Sequence, residues 1–95
     1  MSDIVSDELE LALRKPIKLA DREISSITLR EPTAFEIEQV SKKAETNGAA
    51  ANTLLVALVS GLTPGEIGKM GISDLNKALA FLKGFINAGQ ETGKP

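Results

Sequence analysis

Ile27 to Val40 reads ITLREPTAFEIEQV. A β-branched and aliphatic run stops at Arg30-Glu31-Pro32, and a helical pattern begins at once. Proline cannot donate to a strand ladder, so Pro32 ends the strand. Thr33 then stands where a helix needs an N-cap, and Glu36 follows three residues later. Thr-x-x-Glu is the capping box, in which two orphan backbone donors are satisfied reciprocally. This switch decides the fold: everything before it reads as strand, and everything after it as helix.

Working towards the N-terminus, ISSITLR at 24–30 is one strand, with Ile27 and Leu29 apolar in phase. LELALRKPIKL at 9–19 is its partner, with Leu9, Leu11, Leu13, Ile17 and Leu19 alternating to one side. Period 2 is the signature of a half-buried strand. Lys15 breaks the alternation, and Pro16 marks an edge strand or a bulge. ADRE at 20–23 is the turn, so residues 9–30 form a β-hairpin, preceded by an acidic arm at 1–8. A lone hairpin is marginal in water and must pack on something.

Working towards the C-terminus, four helices are expected, at 34–45, 50–60, 64–70 and 74–88, before a polar tail at 90–95. The first carries Ile37, Val40 and Ala44 on one stripe with Phe35 beside it, and Asn47-Gly48 ends it. The second is apolar around nearly its whole circumference, which reads as central. Thr63, Pro64 and Glu66 repeat the capping grammar ahead of the short third helix. Ser73 is the expected cap of the last helix. The fold class is therefore α+β: an N-terminal hairpin, then a small bundle of three main helices and one short one, in a single domain over 9–89.

Composition narrows the function. The 95 residues carry a net charge of −2, no histidine and no cysteine. That removes the imidazole base, the thiol nucleophile and sulfur metal ligands. The glutamates fall at caps or on polar helix faces, and no phosphate loop, nucleophile elbow or metal-ligand spacing occurs. No enzyme activity, cofactor or metal is expected. The N-terminus has no apolar signal core, and the longest apolar segment, TLLVALVSGL at 53–62, is too short to span a bilayer.

Two interaction readings are left. Residues 55–82 have the outline of a helix-turn-helix, which would suit a small DNA-binding regulator. The reading helix would offer only Lys77 and Lys83 among mostly apolar residues, however, and the acidic balance opposes nucleic-acid binding. The last helix carries instead a doubled apolar face: Leu75, Ala78, Leu79, Leu82 and Ile86 on one stripe, Phe81 and Phe85 on a second. A domain this small buries only about 60–65% of its unfolded surface and leaves apolar area for association with a partner or with itself as a homo-oligomer. Phe81, Leu82, Phe85 and Ile86 are the candidate partner-binding residues. Arg30, Pro32, Thr33, Glu36, Thr63, Glu66 and Ser73 are the candidate turn and cap residues.

The order of these features resembles a known family. The strand pair KPIKL…EISSITLREPT, the Leu-Arg-x-Pro-Thr turn, the segment SGLTPGEIGKM and Asp74 before a final apolar helix are similar to the small tail assembly chaperones of tailed bacteriophages, the Mu-like and related contractile-tailed group. The resemblance spans residues 13–85. It implies a chaperone in the host bacterial cytoplasm that binds the tape-measure protein and keeps its apolar helices soluble. It also implies help in recruiting tail-tube subunits, a frameshift-extended second form, and absence from the mature virion; under the alternative reading, the DNA-binding regulator would be of phage or prophage origin. The family brings no catalytic or ligand-binding residues to carry over.

Overall fold

A computed structural model describes residues 8–92 of the chain, and the side chains as far as Phe85. The elements run β1 (Glu8–Lys18), β2 (Glu23–Arg30), α1 (Ala34–Ala44), α2 (Gly48–Ser60), α3 (Pro64–Ile67) and α4 (Ile72–Thr92). An antiparallel two-stranded hairpin thus precedes four helices, three of them long, and the fold is α+β.

The hairpin pairs Leu9 with Leu29 and Leu11 with Ile27, so its apolar side chains meet on one face. Between the pairs Ala12–Ser26 and Ile17–Ile24 the register shifts, and Leu13 to Pro16 lie opposite Ser25 alone. Pro16 sits in this bulge, where it withholds no ladder hydrogen bond. The bulge also re-phases the ladder. Ile24 is out of step with Ile27 and Leu29, yet it packs on the same core as its buried partner Ile17.

The apolar face of the hairpin rests on α2 and α4. Leu13, Ile17, Ile27 and Leu29 meet Leu55, Val56 and Val59 of α2, Ile67 of α3, and Ala78, Leu79 and Leu82 of α4. The central role expected of α2 holds, since it touches α1, α3, α4 and β2. By contrast α1 contains no buried residue. It lies on α2 through the half-buried Ile37 and Val40, while Ala44 is exposed and Phe35 is 69% exposed.

Helix ends differ from the sequence reading in four places. Asn47 does not close α1 but starts α2, its side chain accepting from Ala50 N–H. Asparagine serves either end of a helix, and here the N-cap bond wins. The short α3 stops at Ile67, with Gly68 as its cap, rather than near residue 70. Finally, α4 continues to Thr92, into the expected polar tail, and it begins at Ile72, so Ser73 lies inside the first turn rather than capping it. Its Oγ instead faces Arg14 Nη1 at 3.4 Å.

Candidate functional site

Three helix starts are fastened to the hairpin, each by a carboxylate. At α1, Thr33 Oγ1 accepts from Glu36 N–H at 3.1 Å, and Glu36 Oε1 accepts from Thr33 N–H at 3.0 Å. Glu36 also receives a two-pronged hydrogen bond from Arg30, at 2.9 and 2.7 Å. A planar guanidinium matches a carboxylate in this way, and charge strengthens both bonds. Arg30 Nη2 further donates to the Leu58 carbonyl at 3.1 Å. That carbonyl belongs to the last turn of α2, where acceptors lack intrahelical donors and a cation is favoured. One arginine at the end of β2 therefore holds β2, α1 and α2 together, and the Arg-Glu-Pro-Thr turn is a structural joint. Arg30 holds the Glu36 carboxyl down at about 2 from its ordinary 4.5, and the Thr33 N–H acts in the same direction.

The start of α3 repeats this pattern. Thr63 and Glu66 cap each other at 3.0 and 3.1 Å, and Arg22, beside the hairpin turn, donates to Glu66 Oε2 at 3.0 Å. The Thr63 N–H, followed by the field of Arg22, lowers the Glu66 pKa.

The third fastening lies at α4 and involves no capping box. Asp74 is fully buried at 0% exposure. Its two oxygens accept the backbone N–H groups of Arg14 at 3.0 Å and Lys15 at 3.2 Å. These are the donors that the β1 bulge turns away from β2. The Arg14 bond is the chief reason the Asp74 carboxyl sits below its ordinary range. Asp74 is the residue whose role the sequence hides. Its position in a first helical turn suits any acid, but its partners are about sixty positions away and are backbone groups.

The proposed partner-binding residues of α4 separate. Leu82 is 0% exposed and belongs to the core, so it is corrected from contact residue to core residue. Phe81 and Phe85 are half-buried, with ring centroids 5.3 Å apart and planes at 89°. This edge-to-face pairing suits the aromatic quadrupole. The Ile86 side chain lies outside the described residues, as do the acidic arm up to Asp7 and the last three residues. Among the described residues no group of three acidic side chains is placed to hold a metal ion. No described helix is long and apolar enough to cross a membrane. The helix that a DNA reader would present gives Ala78, Leu79 and Leu82 to the core instead.

Residues 10–87 match the family described as phage tail assembly chaperone proteins, E, or 41 or 14. The chain belongs to this family. The match takes in all three fastenings, from Arg14 to Asp74, together with the Phe81–Phe85 edge. No curated protein and no solved structure matches the chaperone significantly. A role in phage tail assembly follows from the family, and with it phage tail proteins as partners.

Proposed function

We propose that this tail assembly chaperone binds the tape-measure protein of its phage in the host cytoplasm, keeps that protein's helices soluble, and helps recruit tail-tube subunits. The observation that carries the reading is the family match over 10–87. The fold supports it with apolar surface left outside the core. Phe81 and Phe85 lie four residues apart on one face of α4 and are only half-covered. An amphipathic partner helix laid along them would bury both rings, and aromatic side chains carry large buried area per residue. The same edge serves self-association in the absence of a partner.

The test is co-expression with the tape-measure protein. The chaperone should hold that protein in the soluble fraction, and Phe81→Ser with Phe85→Ser should lose the effect while keeping a cooperative melt. Leu82→Ser is the contrast, because a core polar group should unfold the chain. A tape-measure protein equally soluble without the chaperone would end the reading. A folded double variant that co-purifies at full yield would move the contact elsewhere.

A further inference from the structure

Of the four helices, α1 has the least holding it. The other three each bury at least one residue, whereas α1 buries none. Its largest apolar side chain, Phe35, is mostly exposed, so its apolar contact with the core comes from Ile37 and Val40, both half-buried. It rests on α2 and on no other element to a like extent. What closes it is its first turn, where Arg30 forks onto Glu36 and Thr33 and Glu36 cap each other. The rest of the domain stands without these contacts. The start of α2 has its own cap, since Asn47 Oδ1 accepts from Ala50 N–H, and its core side packs on the hairpin and α4. The starts of α3 and α4 are fastened to Arg22 and to the bulge. Arg30 keeps a second acceptor, the Leu58 carbonyl, whether or not Glu36 is present.

We infer that residues 31–46 form a lid that leaves α2 as one unit while the hairpin, α2, α3 and α4 stay folded, with the Arg30–Glu36 fork as its latch. Few buried apolar contacts and exposed backbone mark the part of a domain that opens first. A helix of 11 residues is not stable alone in water, so opening of the lid is also unfolding of α1. The opening uncovers the side of α2 on which Ile37 and Val40 lie. Leu54, which lines a shallow cleft with Lys43 of α1, is only half-buried even with the lid shut. That side of α2 accepts an amphipathic helix, because α1 is one. It therefore gives the partner helix of the function proposed above a second apolar surface. This consequence rests on that reading, whereas the opening itself does not.

Native-state hydrogen exchange on the full chain, followed residue by residue by NMR at low urea, reads the opening directly. After correction for intrinsic chemistry, the amides of Glu38 to Ala44 should share one protection factor, about a hundredfold below that of the slowest α2 amides. Their exchange should speed up with urea, because the opening exposes surface. Two variants separate the lid from global unfolding. Glu36→Gln weakens the latch and should speed the α1 amides about fivefold. Asp74→Asn weakens a joint that stays shut when the lid opens. It should speed the slowest α2 and β2 amides about tenfold or more, and leave the α1 amides within about twofold of the parent. Equal speeding of α1 and α2 amides by Asp74→Asn overturns the inference, because α1 would then open only with the whole domain. Two results on the unaltered chain also overturn it: α1 protection equal to that of α2, or α1 exchange that ignores urea, which is fraying and not a lid.

Discussion

Asp74→Asn is the substitution that weighs most on this fold, although it changes one atom. Asp74 has no solvent exposure, and each of its oxygens accepts one bulge N–H, from Arg14 at 3.0 Å and from Lys15 at 3.2 Å. An asparagine retains one oxygen. Its amide nitrogen must then face the other N–H, donor against donor, and that N–H is left unsatisfied. Stranding one donor in this way costs about 1–3 kcal/mol, with the lost charge strengthening of the remaining bond included towards the upper end. Asp74→Ala strands both donors but removes the clash, so about 3–4 kcal/mol is expected. A domain of 95 residues has a total stability of about 5–14 kcal/mol, so either change takes a large share. At about 4–8 °C per kcal/mol, Asn should lower Tm by about 4–24 °C at neutral pH.

The assay has two arms. A thermal melt followed by circular dichroism gives the loss of stability. Amide hydrogen exchange in the parent should show protected Arg14 and Lys15 N–H groups, although neither pairs with β2, and both should lose protection selectively in the Asn variant. An Asn variant melting within about 2 °C of the parent refutes the reasoning. So does unchanged protection at Arg14 and Lys15, which would mean that water or another acceptor serves the bulge.

Three further outcomes follow from the other fastenings. Thr33→Ala should cost about 0.5–2 kcal/mol in a urea titration, since it removes the cap bond to Glu36 N–H. A double-mutant cycle of Arg30→Gln and Glu36→Gln should give a coupling of about 1 kcal/mol; the fork geometry argues for more, but the Arg30 side chain is 41% exposed and solvent screens it. In acid, Glu36, Glu66 and Asp74 all have folded pKa values below their ordinary ones, so each stabilises the fold above its unfolded pKa and stops doing so as pH falls. Tm should therefore hold between pH 6 and 8 in a chain without histidine, then fall through the window from 4.5 to about 2 set by Glu36, and Glu36→Gln should flatten that fall.

The legible and illegible parts of the chain divide by the range of the interaction. Thr33–Glu36 and Thr63–Glu66 could be read because a capping box is a bond between residues three apart. The hairpin face was readable because Leu9, Leu11, Leu13 and Ile17 keep period 2 and their partners Leu29 and Ile27 answer it. Pro16 pointed to an edge strand or a bulge, and it lies in a bulge. What period and spacing do not carry is the second partner. The acceptors of Arg30 on α2, of Arg22 on α3 and of the bulge on α4 lie 28, 44 and about sixty residues along. Leu82 shows the same limit from the other side. It shares a helix face with neighbours of either fate, and only the packing of the hairpin decides that it is core while Phe81 remains half-covered.

The fastenings also bear on what this chaperone leaves free. A two-stranded hairpin is not stable alone, and helices of four to thirteen residues are not either. Each supports the other at the helix starts, where a first-turn carboxylate both complements the helix dipole and takes hydrogen bonds from the hairpin. The exception is α2, which has no such carboxylate. Asn47 caps it, its buried face holds it, and Arg30 satisfies a carbonyl at its end. Because the helices are anchored at their starts and along the α2 core, α1 needs no buried residue and α4 need not cover both its stripes. Phe35, Ile72 and the Phe81–Phe85 edge remain outside the core as a consequence of this economy. Under the function proposed above, a chaperone that grips an apolar partner and later releases it would benefit from such an arrangement. Its own fold rests on charged joints and one compact core, so surface residues can be given to the partner without loosening the domain. The Phe81→Ser, Phe85→Ser variant should therefore keep a cooperative melt, whereas Asp74→Asn, at a fully buried position, should not leave the fold intact at elevated temperature.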